Sequence, residues 1–220
     1  MDVHHIKLAL QRFGLLFRGG FTPGAKDGLA DDIMTVVIVG NAGPNMWQVF
    51  YQSPEFKDAF DPLDAWSVRV IEKIANDLGA EAIFPFDGPP YFPFQRWAQK
   101  ADHVWPSPIG PLIHQHFGLW HAYRGALLFR QKIDLEPLHR TKPPCETCGD
   151  KPCLSGCPVG AFSPDHYDVA ACVEHLKSNN GTACMSGGCR ARQACPVGQA
   201  YQYEPDHAQF HMSHFLRTQR

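Results

Sequence analysis

The feature that most constrains this chain is where its cysteines lie. Residues 1–144 contain none, and all eight fall between Cys145 and Cys195. Thiols crowded this densely are either oxidised in pairs or held by metal. The opening Met1-Asp2-Val3-His4-His5-Ile6-Lys7 carries an acid and no continuous apolar core, so it does not read as a secretory signal. The most apolar runs, Val36–Val39 and Ala126–Phe129, are too short to cross a bilayer. The expectation is a cytoplasmic protein. A reducing compartment does not turn eight cysteines into four disulfides, and metal or cluster ligation is the default.

The cysteines hide a repeat. The first half reads Cys145-x2-Cys148-x4-Cys153-x3-Cys157, followed by Pro158-Val159-Gly160. The second reads Cys172-x11-Cys184-x4-Cys189-x5-Cys195, followed by Pro196-Val197-Gly198. Two quartets that each end in Cys-Pro-Val-Gly resemble the dicluster ferredoxins, which hold two [4Fe–4S] clusters. A cubane cluster presents its irons at the corners of a tetrahedron, and one tight loop reaches only three of them. In ferredoxins each half lends its Cys-Pro cysteine to the cluster of the other. The resemblance therefore implies one cluster on Cys145, Cys148, Cys153 and Cys195, and a second on Cys172, Cys184, Cys189 and Cys157. Proline after the crossing cysteine fixes φ and turns the chain away. Gly149, Gly187 and Gly188 let backbone approach the cluster sulfurs. Two Zn(Cys)4 sites would consume the same thiolates, but only Cys145–Cys148 has the short knuckle spacing that zinc ribbons favour. The second gap is longer than in a minimal ferredoxin, so a single cluster is a further outcome. Arg190 and Arg192, inside the last loop, would offset the charge of a cluster or simply keep the loop solvated.

The remainder reads as an α+β domain. A helix is predicted at about 2–13, from Ile6, Leu10, Phe13 and Phe17 at helical spacing, and a strand at 15–21. Met34–Gly40 is β-branched and apolar, a buried central strand. Asp61, Pro62 and Gly79 bound a helix whose Leu63, Trp66, Val70, Ile74 and Leu78 form one stripe. Ala82–Pro85 and Gly118–Phe129 have strand character. Residues 85–111 alternate prolines with Phe86, Tyr91, Phe92, Phe94, Trp97 and Trp105, which opposes regular structure and favours a loop packed on the core, or a wall for a flat ligand. The proline-bearing stretch 137–144 is the expected linker. The expected division is 1–136 as a cofactor- or substrate-binding domain, 145–198 as a ferredoxin-like domain, and 199–220 as a helical tail. In that tail His207, His211 and His214 share a helical face, which can bind metal but more often is solvated or docked, as Phe210 and Phe215 beside them favour.

Two further resemblances concern longer stretches. The stretched cysteine region, with Asp168-Val169-Ala170-Ala171-Cys172, resembles the C-terminal half of epoxyqueuosine reductase, whose members place two [4Fe–4S] clusters beside a cobalamin-binding domain. The segment His114-Gln115-His116-Phe117-Gly118-Leu119-Trp120-His121-Ala122-Tyr123-Arg124-Gly125, and the helix start Asp61-Pro62-Leu63-Asp64, are similar to cobalamin-processing proteins of the CblC type. The fold implied is α+β: a mixed or antiparallel sheet with flanking helices, of nitroreductase or CblC-like type, plus a dicluster ferredoxin-like domain. The implied cofactor-binding residues are His114, Phe117, Gly118, Trp120 and Arg124, with cobalamin as a possible second cofactor. From the residues alone, any of His114, His116 and His121 could ligate a metal or bond a cofactor edge. Where epoxyqueuosine reductase carries a proton-donating acid after the equivalent strand, this chain has Leu128-Phe129, and Asp134 is the nearest carboxylate. The implied activity is a reductase of this general type acting on something other than epoxyqueuosine.

Lys plus Arg number 20 against 22 Asp plus Glu, for a formal charge of −2. That balance gives no footprint for nucleic acid or an anionic membrane, and the expected partner is an electron-donor protein. Three functions remain open: a redox enzyme whose clusters feed a cofactor or substrate in the N-terminal domain, an electron carrier whose N-terminal domain only docks partners, and a zinc-stabilised binding module.

Overall fold

The β-branched run from Thr35 to Val39 builds the centre of the structure. In the computed structural model, described for every residue except Ala59, Arg140, Asp165 and Arg220 and the side chain of Asp58, the chain divides into two compact units. In chain order its elements are α1 (Val3–Gln11), β1 (Leu16–Phe21), β2 (Thr35–Ala42), α2 (Asn45–Tyr51), α3 (Glu55–Asp58), α4 (Pro62–Leu78), β3 (Glu81–Ile83), α5 (Phe94–Ala101), β4 (Val104–Pro106), β5 (Leu112–His114) and β6 (His121–Phe129). Then come α6 (Pro144–Thr147), α7 (Pro152–Ser155), β7 (Phe162–Ser163), β8 (His166–Tyr167), α8 (Val169–Lys177), α9 (Thr182–Gly187), α10 (Arg190–Gln193) and α11 (Pro205–Thr218).

Unit 1 is Met1–His103 with His121–Arg140. Its sheet has the order β1-β2-β6-β3, with every pair antiparallel. All eight residues of β2 are buried, so both faces of the strand are covered and hydrophobic residues need not alternate. Val36, Ile38, Ala126 and Leu128 share one face with Phe94 and Trp97 of α5. The alternate residues Val37, Val39, Leu127 and Phe129, all fully buried, point the other way. On that side Ile71 of α4 lies over Gly125. Helix α4 starts at Pro62 and ends where Gly79, at φ +65°, donates its N–H to the Ala75 and Asn76 carbonyls. Its buried Leu63, Trp66, Val70, Ile71 and Ile74 each contribute on the order of 2 kcal/mol of hydrophobic stabilisation.

Helix α5 corrects the expectation of an irregular 85–111. Pro93 precedes the helix and Pro106 follows it, leaving a proline-free stretch in which Phe94, Trp97, Ala98 and Ala101 form a buried stripe. The aromatics divide accordingly: Trp97 is fully buried, whereas Tyr91 is 66% exposed.

Unit 2 is Val104–Trp120 with Thr141–Arg220. The sequence boundary at 137–144 marks only one end of it, and Arg140 of that linker lies outside the described residues. Residues 104–120 fold as the β4–β5 hairpin and a tight turn, in which the His114 and Gly118 backbones bond each other at 2.8 and 3.0 Å. Their Ile109, Ile113 and Leu119 form one small core with Cys153, Ala191 and Cys195. The cysteine region therefore does not stand by itself at 145–198. The predicted strand at 118–129 begins only at His121, because Gly118–Trp120 belongs to this turn.

Candidate metal centre

Short helices carry the thiols. Pro144 and Pro152 open α6 and α7, placing Cys145 and Cys153 in their first turns, while Cys148 follows α6. Cys172 lies on α8, whose N-cap Asp168 accepts the Ala171 N–H at 2.9 Å; Cys184 lies on α9 and Cys189 caps α10. All eight thiols are free.

Their mutual influence sorts them into two sets. Burial pushes the Cys145 thiol up to about 11, and the charges of Cys195, Cys153 and Cys148 push the same way, opposed by Lys151. Burial also raises Cys195, which faces Cys153 and Cys148. In the other set burial raises Cys184, opposed by Arg190 and reinforced by Cys157 and Cys172. Cys189, also raised first by burial, faces Cys172 and Cys157. Cys157 thus sits among second-half thiols and Cys195 among first-half thiols. Four thiols that repel one another as anions, removed from full solvation, need a cationic centre to hold them as thiolates. Their sulfurs also meet backbone donors. The Ala161 N–H points at Cys157 Sγ at 3.4 Å, and N–H groups of Arg192 and Ala191 reach Cys189. This donor set fits a thiolate-bound cluster. Among the described residues, no three of His, Cys, Asp and Glu converge closely enough to hold a single metal ion. A surface cavity of about 510 Å³ opens beside Cys145 and Cys148, lined also by Trp105, Pro106, Pro143 and Lys151.

The resemblance-derived cofactor residues fall in both units. His114, Phe117, Gly118 and Trp120 lie in unit 2, and Arg124 lies on β6 of unit 1. His114 is buried, and its Nδ1 accepts the N–H groups of His116 and Phe117 at 3.0 and 3.1 Å, which fixes the turn. Its ring stacks on Phe117 at 4.3 Å, and Phe117 meets Tyr201 edge-on at 4.8 Å. Gly118, at φ +57°, approaches the Cys-Pro-Val-Gly turn so closely that a Cβ would lie 1.9 Å from the Val197 carbonyl oxygen. Gly198, at φ +75°, faces it across the same contact. Arg192 donates to the Leu119 carbonyl through Nε and Nη2, and its guanidinium lies 4.5 Å from the rings of both Trp120 and Tyr203. Cation–π contact and the hydrogen bonds together tie the Cys189–Cys195 loop to Leu119–Trp120. Gly118, Trp120 and the His114 Nδ1 therefore serve the packing of unit 2.

Unit 1 holds a polar cluster that reading the sequence missed. A bulge between Phe17 and Gly20 of β1 turns Arg18 inward, to 3% exposure. Its Nε and Nη2 donate to Asp102 Oδ2 at 2.9 and 2.7 Å, and Nη1 donates to the Asn41 carbonyl at 3.2 Å. Tyr123 donates its hydroxyl to the same Asp102 oxygen at 3.1 Å. Burial holds Tyr123 far above the ordinary phenol value, with Arg18 opposing and Asp102 reinforcing, so it stays protonated. Arg124 Nε donates to Asn41 Oδ1 at 3.1 Å, and His121 Nδ1 lies 3.4 Å from Arg18. The available signal was Gly19-Gly20 after an arginine in an apolar strand, a bulge signature. His116 is exposed, and Asp134 is exposed and away from this cluster's hydrogen bonds. In α11, His207 is fully buried against Tyr203 at 3.8 Å, with its Nε2 at 3.1 Å from His211 Nε2, while His214 lies beside Arg217. The first of these histidines is thus core rather than solvated face.

Taken as a class, the fold is mixed α+β, with an antiparallel sheet flanked by helices, and solved structures share it. A C. elegans B12-trafficking protein CblC matches with a TM-score of 0.56 at 15% identity, over 95% of this chain and 89% of that one. Epoxyqueuosine reductase from Streptococcus thermophilus matches at 0.55 and 14% identity, over 94% of this chain and 70% of that one. Identities this low show likeness of fold alone. No family model and no curated protein matches the sequence. Among the described residues no helix is long and apolar enough to cross a membrane.

Proposed function

We propose that this chain is an iron–sulfur protein with two [4Fe–4S] clusters, a reductase that delivers low-potential electrons to a cofactor or substrate held by unit 1. The observation that carries the reading is the sorting of eight free thiols, three buried and five half-buried, into two mutually repelling quartets that exchange Cys157 and Cys195. Such clusters, when bound, supply single electrons at potentials set by sulfur hydrogen bonding and exposure. The chain's own part is to hold eight thiolates, aim backbone N–H groups at the sulfurs and fix the last loop through Arg192. An electron-donor protein is the expected partner, and the cavity beside Cys145 and Cys148 opens the first quartet to solvent.

Cobalamin is the first candidate recipient, supported by the fold likeness to CblC. Arg124, Tyr123 and Asp102 are the polar groups of unit 1 suited to hold a ligand edge or retain a proton near it. A second reading, an electron carrier, is favoured by one observation: Gly118, Trp120 and His114 Nδ1 already serve unit 2's own packing. Anaerobically purified protein should be brown, with about eight irons and eight sulfides, four per cluster. Titrating that protein with hydroxocobalamin should shift the corrin spectrum. Colourless protein with two zincs would refute the clusters, and an unmoved corrin spectrum in iron-loaded protein would leave the carrier.

A further inference from the structure

Resting on the cluster reading, we propose that Tyr167 and His175 hold the centre of Cys157, Cys172, Cys184 and Cys189 at a higher reduction potential than the centre of Cys145, Cys148, Cys153 and Cys195. The first electron supplied then rests on the former. The argument begins with how the chain presents the two side chains. Tyr167 lies on β8, paired with Phe162 of β7, and the two rings stack at 4.5 Å. Its hydroxyl faces the thiols of this set, Cys172 first and then Cys189 and Cys157. Helix α8 then carries Cys172 and His175 three residues apart, on one face. His175 Nε2 lies 3.7 Å from Cys184 Sγ. A metal-bound thiolate has no proton to give, so a contact with it requires the imidazole N–H and the phenol O–H to be the donors.

Each quartet has a cation acting on its thiols. Lys151 acts on Cys145 and Cys153, and Arg190 acts on Cys184. Backbone N–H groups reach sulfurs in both sets. Among the described residues, the side-chain donor within hydrogen-bond reach of a sulfur is His175, on Cys184 of the second set, and the Tyr167 hydroxyl faces the same set. A hydrogen bond to a ligating sulfur draws off electron density and favours the more negative, reduced state, which raises the potential.

The test uses the full chain, purified without oxygen and analysed for iron and sulfide, then reduced stepwise with dithionite and followed by electron paramagnetic resonance. Two separate one-electron waves are expected, and Cys172→Ser should remove or alter the upper one. Tyr167→Phe and His175→Phe should each move the upper wave to lower potential and leave the lower wave in place, while His175→Gln, which keeps a donor, should restore part of the separation. Wild-type iron content certifies each variant as loaded, and if Tyr167→Phe loses iron, His175→Phe carries the test. Coincident waves at full iron content, or an upper wave unmoved by loss of the donor, overturn the inference and leave the clusters standing. A chain without iron overturns the cluster reading and this inference with it.

Discussion

The tightest constraint on a single residue is at Gly118. The CblC-type resemblance implies that this glycine binds a cofactor, and the structure gives it another neighbour, the Val197–Gly198 backbone. Two left-handed glycines face each other there, so each position excludes a side chain twice over, by φ and by space. Gly118→Ala should destabilise unit 2 by roughly 3 kcal/mol, combining left-handed strain with overpacking. Chemical denaturation of the loaded protein would measure it. If Gly118 served only a cofactor, the cost would not exceed the ~1 kcal/mol of left-handed strain. The motif was legible at this scale, but its partner was not, because sequence spacing does not say which distant backbone a glycine admits. Arg18 and Asp102, 84 residues apart, were invisible for the same reason.

Among the elements, β2 and α4 were readable because each bears an uninterrupted pattern with its own punctuation. Helix α5 bears one too, Phe94, Trp97, Ala98 and Ala101, but the flanking prolines masked it. Helix α2 follows Gly43-Pro44 with Met46, Trp47 and Phe50 inward, a pattern too short to separate from a turn. What secures α5 is a buried carboxylate. Asp27, 1% exposed, accepts Trp97 Nε1 at 3.0 Å and Lys100 Nζ at 2.6 Å. Burial pushes its carboxyl up, but hydrogen bonds from Lys100, the Gly24 N–H and Trp97 together outweigh burial and hold it below the ordinary value. Asp27→Ala would leave the indole N–H buried and unpaired, and should cost about 3 kcal/mol, against less for Asp27→Asn, which keeps an acceptor. A carboxyl lowered on folding contributes stability that is complete above its unfolded value and lost as pH falls through its folded one. This tie should therefore weaken on the acid side of about pH 4 in the wild type and show no such loss in Asp27→Asn, as acid titration of stability would reveal.

At the scale of the whole molecule, crossed quartets that hold the proposed clusters would make each centre depend on both halves of the cysteine repeat. Cys157→Ala should cost the centre of Cys172, Cys184 and Cys189, and Cys195→Ala that of Cys145, Cys148 and Cys153; spectra of the singly loaded proteins would tell them apart. Damage confined to a cysteine's own half would refute the crossing. The sequence showed one boundary, at the prolines before Cys145, but not the passages at His103–Val104, hidden within the proline-bearing 85–111, and at Trp120–His121, which no polar or proline-rich run marks. The second of these falls inside what reads as one strand. The interleaving bears on how the protein is made. As the chain leaves the ribosome, unit 1 lacks β6 beside β2 until after residues 104–120 have emerged, and those residues must wait for the cysteine region before their own core exists. Neither unit can be lifted out by a single cut, so a gene fragment starting at the cysteines would encode a cluster site without part of its floor.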